Sequence, residues 1–405
     1  MATVKVKFRK SSVAGKPGSI YYQLCHENTC KLITTKMHIP SRAWNALDEQ
    51  IITQGEHRLK MYQLKIQSDM RLLRRIIREM DERRKGYTLE NIVEAFRANS
   101  SQVTVLEYMQ RQIERLQKRK HYGTAKNYQY ALNSFSAFLD HEDLSFGLMN
   151  EGLILQYNDW LECRNVLKNS ISFYMRIWRA VYNRAAREGI VEQSLPFQNV
   201  YTGIDRTRKR AVDEEIILKL LELDLTLHPS LALSRDLFVF SYCARGMAFV
   251  DMAFLKKRNI ENNRICYHRR KTDQLMMVRL EPCMIHILRK YEDKTRDSQY
   301  VFPILTAEDD EKAFVQYHTA LGYHNRKLKK LAQMTGLPIA LSSYTSRHTW
   351  ATTARRHNVP LSIISAGMGH SSERTTEIYL ASLENSVIDE ANSGLLTDIN
   401  RCISF

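Results

Sequence analysis

The sequence is poor in the features that mark secreted or zinc-binding proteins. It contains seven cysteines, an odd number, and no two of them form a CxxC pair. This pattern argues against a disulfide framework and against a zinc ribbon. Cys25, His26 and Cys30 lie close together, but no second pair of ligands follows at zinc-finger spacing. We therefore expect no metal site.

Long apolar segments are also missing from the sequence. No run approaches the roughly 20 residues that a membrane-spanning helix needs. The first residues lack the charged and apolar pattern of a signal peptide. We expect a cytoplasmic protein that does not act at a membrane.

Acidic residues are too few to balance the basic ones. The 405 residues include 60 Lys and Arg against 44 Asp and Glu, which gives a formal net charge of +16. An excess of this size favours a polyanionic partner, and nucleic acid is the commonest. A chain of this length is expected to fold into two or three domains.

The opening residues alternate strictly between basic and apolar side chains, which is the period of a strand with one buried face. Lys5, Lys7 and Arg9 share the polar face of that strand. Two more short strands fit residues 19–24 and 31–34, and turn residues separate them. We predict a three-stranded sheet at the start of the chain whose basic face binds DNA.

A long helical pattern follows, from Ser41, which can cap a helix, toward Gly86. The other faces of this helix are dominated by lysine and arginine. They are interpreted either as a solvated surface or short coiled-coil seam, or as a direct DNA contact. The apolar face consists of Leu59, Tyr62, Ile66, Leu73, Ile77 and Met80.

Residues 101–205 have the apolar spacing of helices, with turn-like residues between them. The periodicity lapses at the end of this block, in a basic run that we interpret as a linker. The predicted helices are 104–120, 123–140, 149–163 and 169–188.

The last of these helices has a polar stripe opposite its apolar face. Its members recur at steps of four, three, four and four residues, so they share one side of the helix. Few acids are near enough to pair with its arginines. We expect the stripe to lie along a phosphate backbone, and a solvated polar face is the alternative. The stripe consists of Ser172, Arg176, Arg179, Asn183 and Arg187.

Two segments after residue 206 place single basic residues at special positions. In CARGMAFVDMAFL, an apolar helix is interrupted at Arg245-Gly246, so that the arginine can project from a helix end. In RICYHRRKTDQLMMVRL, two strand-like runs flank a turn that carries Lys271. Each is weak evidence alone, because arginines often form structural ion pairs and surface hairpins often carry lysines.

Two further segments add histidine and tyrosine. SSYTSRHTWATTARRH predicts a helix, capped by Ser342 or Ser343, whose first turns present Tyr344, Arg347 and His348. GMGHSSERTTEIYL predicts a tight turn at a histidine, followed nine residues later by a tyrosine. These last two residues are His370 and Tyr379.

The order of these motifs resembles the catalytic signature of the tyrosine recombinase family. CARGMAFVDM, YTSRHTWAT and MGHSSERTTEIYL look especially like integrases of conjugative transposons and phase-variation invertases of gut anaerobic bacteria. The resemblance implies a mainly α fold with small β-sheets (α+β). It also implies an arm-type DNA-binding domain with a long helix at 1–100, a helical core-binding domain at 101–205 and a catalytic domain at 206–405.

The resemblance assigns the phosphate-binding groups. Attack on a phosphodiester builds negative charge on its oxygens, and the planar fork of arginine can donate two hydrogen bonds to that charge. Arg245 and Arg347 fit this role. His370 is expected to donate one further bond, and His348 is expected to orient or pack against its neighbours.

The same resemblance assigns the covalent step. Tyr379 would attack the phosphate and form a 3′-phosphotyrosine, which conserves the bond energy for rejoining. Lys271 would protonate the departing 5′-oxygen. Neither a metal nor any other cofactor is then required.

Two positions depart from the family pattern. Tyr344 replaces a histidine that usually stands three residues before the second arginine, and we expect altered proton handling rather than inactivity. Ala248 replaces an acid that often stands three residues after the first arginine. Asp251 is expected to take over the bracing of Arg245.

The expected partners are double-stranded recombination sites. The chain would be a monomer in solution and a homo-tetramer on synapsed DNA, with DNA-bending accessory proteins as further partners. A type IB topoisomerase and a non-catalytic DNA-binding protein of recombinase ancestry are the alternatives. The tail beyond Tyr379 is predicted to be helical and to dock either on its own domain or on a neighbouring protomer. Its apolar residues are Leu383, Val387, Ile388, Ala391, Leu395 and Leu396.

Overall fold

The fold is mainly helical with small antiparallel sheets, as predicted. A computed structural model of the chain describes residues 2–13, 15–53, 56–83, 86–100, 103–205, 211–370, 372–380 and 392. Contacts divide the chain into two compact units, Met1–Arg206 and Thr207–Phe405. Across the described ranges, no helix is both long and apolar enough to cross a membrane. The basic run at 206–210 and the apolar tail residues that follow Tyr379 lie outside these ranges.

The amino-terminal unit opens with the predicted three-stranded sheet. Strands β1 (Thr3–Arg9), β2 (Gly18–His26) and β3 (Thr29–Ile39) pair antiparallel in sequence order. One face is buried because apolar residues alternate along the strands, and Ile20 and Leu24 of β2 are fully buried. The opposite face of β1 is left to basic side chains.

Two cysteines face each other across this sheet. Cys25 on β2 is the direct partner of Cys30 on β3, and their sulfurs form a disulfide. The sequence argument against disulfides is therefore wrong for this pair. It relied on cysteine count and on CxxC spacing, whereas the register of a tight hairpin brings together two residues that are five positions apart.

The long helix begins later than predicted. Short strands β4 (Trp44–Asn45) and β5 (Gln50–Ile51) pair first, and helix α1 covers His57–Glu82. The Asn45 side chain accepts a hydrogen bond from the Leu47 backbone N–H at 3.0 Å. Such a turn competes with helix formation at this point of the chain. The prediction that the long helix begins after Ser41 is therefore wrong.

The apolar face of α1 packs as predicted, and a helix that the sequence pattern had not revealed completes this core. That helix, α2 (Leu89–Ser100), contributes Ile92 and Phe96 to the cluster beneath the sheet. The four predicted helices then follow within one or two residues of their expected starts. They are α3 (Val105–Lys118), α4 (Tyr122–Phe138), α5 (Glu151–Cys163) and α6 (Lys168–Arg187).

The carboxy-terminal unit consists of helices around a small hairpin sheet. Its core centres on α8, whose side chains are buried nearly all round, including Phe238 and Phe240. Helix α12 packs against α8, and α13 and α14 pack against α12. The helices are α7 (Glu214–Glu222), α8 (Pro229–Cys243), α9 (Phe249–Ala253), α10 (Pro282–Glu292), α11 (Asp310–Met334), α12 (Thr345–Arg356), α13 (Leu361–Met368) and α14 (Glu373–Leu380). The strands are β6 (Ile260–Glu261), β7 (Arg264–His268) and β8 (Leu275–Arg279), paired antiparallel in that order.

Candidate functional site

Arg245 lies in the break between α8 and α9, as the sequence pattern indicated. Both Arg245 and Gly246 adopt the left-handed conformation, with φ of 59° and 72°. The Gly246 N–H donates to the Ser241 carbonyl at 2.8 Å and ends the helix. Arg347 also packs closely against Gly246: a Cβ at position 246 would lie 2.7 Å from the Cα of Arg347. Only glycine permits this approach of the two segments.

Arg347 is buried in the first turns of α12 and is 3% exposed. Its Nη1 donates to the Gly246 carbonyl at 2.8 Å, and its Nη2 donates to the Met368 carbonyl at 2.5 Å. The same Nη2 lies 3.1 Å from the Nε2 of His370. One guanidinium therefore connects the break after α8, the helix α12 and the turn after α13.

His370 follows the left-handed Gly369 that ends α13. Its Nδ1 lies 2.8 Å from the Thr376 hydroxyl on α14. Because an arginine can only donate, Nε2 must accept from Arg347, and the ring proton lies on Nδ1. Burial, together with the nearby positive charges of Arg347, Arg269 and Lys271, lowers the pKa of His370 to about 4. The ring is therefore neutral. Nε2 can donate to a phosphate only after the ring proton has moved from Nδ1 to Nε2.

Lys271 lies exposed in the loop between β7 and β8, at the tip of the predicted hairpin. Asp251 is placed differently from the expectation. Its buried carboxylate accepts a hydrogen bond from the Arg270 N–H at 2.9 Å, so it anchors the base of the Lys271 loop instead of bracing Arg245. Burial raises the pKa of Asp251, and Arg269, Arg347 and Arg270 counteract that effect.

The arginines of the site share one electrostatic neighbourhood. Burial raises the pKa of Tyr267 on β7; Asp251 raises it further, while Arg347, Arg269 and Arg245 lower it. The pKa of the buried Tyr267 phenol therefore depends on the charges of all three arginines. The arrangement concentrates positive charge at the meeting point of the Arg245 turn, the hairpin and α12.

Tyr344 flanks the start of α12 and is 42% exposed. The N-cap residue of α12 is Tyr344, so the predicted cap by Ser342 or Ser343 is wrong. The Ser342 N–H instead donates to the Thr345 hydroxyl at 3.1 Å. His348 packs its ring edge against the Tyr344 ring, with centroids 5.4 Å apart. This contact agrees with the packing role expected of His348.

Tyr379 lies on α14, the helix that carries Thr376 and packs against α12. Sequence reasoning did not single out Thr376 or Arg269, although both are buried and touch the His370 turn. Their signal in the sequence was weak: each stands beside a second copy of its own residue type, in Arg269-Arg270 and Thr375-Thr376. Only the folded structure shows which residue of each pair is buried.

The polar stripe on α6 is only partly a surface. Arg179, Asn183 and Arg187 are exposed and Arg176 is half-buried. The prediction is wrong for Ser172, which is fully buried and donates its hydroxyl to the Gly203 carbonyl. Its helical spacing was correct, but a later loop covers that end of the helix.

On the sheet, Lys5 and Arg9 are exposed along β1, in line with the alternation. Lys7 on the same strand forms an ion pair with Glu49 at 2.8 Å. Among the residues that the structure describes, Lys5 and Arg9 form no ion pair, whereas the charge of Lys7 is partly neutralised by Glu49.

Two family models match the chain. The phage integrase SAM-like domain matches residues 104–200, and the phage integrase family matches residues 213–386. Among curated proteins, tyrosine recombinase XerD of Pseudomonas aeruginosa is similar, with 22% identity over 265 residues. That alignment covers 64% of this chain and 86% of the relative.

Solved integrase structures have a similar fold. A lambda integrase tetramer bound to a Holliday junction matches with a TM-score of 0.53 at 13% identity, over 93% of this chain and 94% of that one. The Tn1549 transposon integrase in complex with transposon right end DNA matches with a TM-score of 0.52 at 14% identity, over 73% and 99%. At these identities, the likeness concerns the fold.

The neutral state of His370 can be measured directly. In nuclear magnetic resonance spectra of ring-labelled protein, we expect its signal to show an Nδ1 proton and to titrate near pH 4 instead of the ordinary 6.5. In the unfolded chain the His370 ring would take up a proton near pH 6.5, whereas in the folded protein it does so only near pH 4. His370 should therefore make the folded state less stable as the pH falls from 6.5 toward 4. His370→Gln identifies the signal, and Thr376→Val, which leaves the Arg347 donor in place, should retain the Nδ1 proton. Titration near 6.5 in the wild type would contradict the assignment.

Proposed function

This chain belongs to the phage integrase family of tyrosine recombinases, and we propose that it breaks and rejoins DNA through Tyr379 at the cluster around Arg347. The family supplies the reaction class, site-specific recombination. The observation that carries the residue assignment is the single guanidinium of Arg347, which joins three of the sequence motifs. Arg245, Lys271 and Tyr344 complete the proposed set.

The electrostatics of the cluster suit a phosphodiester. Arg269 and Arg347 are buried cations, and Asp251 is the buried acid beside them among the described residues. Buried charge without full compensation is costly, and a bound phosphate would supply the missing negative charge. Donors that are already fixed can stabilise the charge that develops as the phosphorus is attacked.

The proposed reaction conserves atoms and charge without a cofactor. The Tyr379 hydroxyl gives up its proton to solvent as its oxygen bonds to phosphorus, and the bond to the 5′-oxygen breaks, so a 3′-phosphotyrosine and a free 5′-hydroxyl form. The departing oxygen takes its proton from Lys271. Attack by a 5′-hydroxyl of another strand reverses these steps and releases Tyr379.

Before it can donate to the phosphate, His370 must change its hydrogen bonds. Its Nε2 accepts from Arg347, while Nδ1 donates to Thr376. Phosphate binding would draw the Arg347 donor toward the new negative charge and free Nε2. Proton movement to Nε2 then makes the ring a donor, so DNA binding and the change of tautomer are coupled.

The other parts of the chain are proposed to bind DNA away from the reacting phosphate. We assign arm-type binding to 1–100, core-site binding to 101–205 and catalysis to 206–405. By analogy with the lambda integrase tetramer on a Holliday junction, a homo-tetramer would form on synapsed DNA. DNA-bending accessory proteins and a cytoplasmic location are further parts of the proposal.

Removing the nucleophilic oxygen tests the central assignment. Tyr379→Phe should bind DNA as the wild type does but trap no covalent complex on a suicide substrate nicked near the cleavage site. Tyr323→Phe changes an exposed tyrosine on α11 and is the matched control. Equal trapping by Tyr379→Phe would show that another residue attacks. Trapping by the wild type with relaxation of supercoils and no strand exchange would indicate a topoisomerase instead.

The arginines of α6 can be tested by the salt dependence of binding. Each lost phosphate contact lowers the salt slope by about one unit. Arg176→Ala combined with Arg179→Ala should therefore weaken core-site binding and flatten the slope by about two units. Arg111→Ala with Arg115→Ala removes the same charge from arginines that pair with Glu107 and Glu188. If both double variants behaved alike, general charge and not a phosphate contact would explain the effect.

The sheet can be tested with neighbouring residues of one strand. Lys5→Ala with Arg9→Ala should weaken binding to DNA outside the cleavage site and impair recombination of long substrates, because two exposed cations are lost. Cleavage of a minimal core site should not change. Lys7→Ala, at the residue paired with Glu49, should have a smaller effect. If the double variant recombined long substrates as the wild type does, the assignment of arm-type DNA binding to this sheet would be wrong.

A further inference from the structure

The loop that carries Lys271 is built on the backbone of Arg269. The Arg269 N–H donates to the Gln274 carbonyl at 2.9 Å and closes the loop. The Arg269 carbonyl accepts from the N–H groups of Thr272, at 3.3 Å, and Asp273, at 2.8 Å. The direction of the loop therefore depends on how this one residue is held.

The Arg269 side chain is held in the protein interior and is only 6% exposed. Its Nη1 donates to the carbonyl of Gly369, the residue before His370. A Cβ at Gly369 would lie 2.8 Å from the Cδ of Arg269 and 2.6 Å from the sulfur of Met276. The arginine stem and the glycine turn thus pack without room for a larger residue.

Stability alone does not explain an arginine at this position. Its Nε is buried and has no hydrogen-bond partner within the described part of the chain. A buried guanidinium with an unused donor is costly compared with an apolar residue of similar size. Its neighbour Arg270 avoids that cost, since it is exposed to solvent and its guanidinium stacks 3.7 Å from the ring centroid of Phe254.

A second contact fastens the same loop from the other side. The Asp251 carboxylate of α9 accepts from the Arg270 N–H at 2.9 Å. The two residues before Lys271 are therefore tied to two different segments, α9 and the Gly369–His370 turn. The lysine that follows them is exposed to solvent.

We propose that Arg269 is a positioning residue, which fastens the Lys271 loop to the Gly369–His370 turn so that lysine and histidine address the same phosphate. The inference rests on the role proposed for Lys271 as the acid that protonates the 5′-oxygen. Proton transfer requires the donor to lie within hydrogen-bond reach of the leaving atom. A lysine on an unanchored hairpin would meet that condition only part of the time.

A change of leaving group separates positioning of the acid from a structural role. A substrate whose scissile 5′-oxygen is replaced by sulfur expels a thiolate, which needs no proton because thiols are far more acidic than alcohols. Arg269→Gln should cleave the oxygen substrate about ten- to a hundredfold more slowly. It should cleave the sulfur substrate at nearly the wild-type rate. Lys271→Ala should show the same selective rescue.

Two further variants sharpen the comparison. Arg269→Lys retains one donor toward Gly369 and should recover most of the rate on oxygen. Arg264→Gln makes the same change at an exposed position of the same hairpin and should leave both rates unchanged. Thermal unfolding and DNA binding of each variant show whether the fold is intact.

Each other outcome identifies what has failed. Equal slowing of Arg269→Gln on both substrates, or no slowing on either, would overturn the positioning role. If Arg269→Gln does not fold, the inference depends on Arg269→Lys, which must then show any loss on oxygen alone. Absence of covalent capture by the wild type, or absence of sulfur rescue for Lys271→Ala, would instead refute the proposed function.

Discussion

The carboxy-terminal unit depends on the burial of one arginine. The guanidinium of Arg347 is removed from solvent, and water that would otherwise satisfy its donors is replaced by the carbonyls of Gly246 and Met368. Neither carbonyl can be supplied unless α8 ends where it does and α13 ends in a left-handed turn. The ends of two helices, α8 and α13, therefore supply the carbonyls to which one buried charged side chain donates.

That arrangement also explains why the site is rich in positive charge before any substrate arrives. Backbone carbonyls satisfy hydrogen-bond donors but do not neutralise charge, and the single carboxylate of Asp251 faces the charges of Arg269, Arg347 and Arg270. The His370 ring cannot contribute another positive charge, because burial and the nearby cations keep it neutral. An anion is the natural complement of such a site, and the phosphodiester proposed above would be one.

Local patterns in the sequence were enough to predict the elements, and motif order was enough to predict the family. Alternation identified β1, and apolar spacing identified α3 to α6 almost to the residue. The failures share a different cause, which is contact between segments distant in the chain. Ser172 has the right helical spacing yet is covered by Gly203, and Asp251 is near Arg245 in sequence yet binds the hairpin. Cys25 and Cys30 required the register of their hairpin, and no periodicity marks Arg269 or Thr376.

The close approach of Gly246 to Arg347 limits which residues this turn can hold. A residue without a side chain is needed here because of atoms that belong to a helix a hundred positions away. A substitution at Gly246 would have to push α12 outward, and no change within α12 could restore the distance, since the obstacle is its own backbone. A larger residue at 246 would therefore move the two segments apart and take the carbonyl at 246 away from the Arg347 guanidinium.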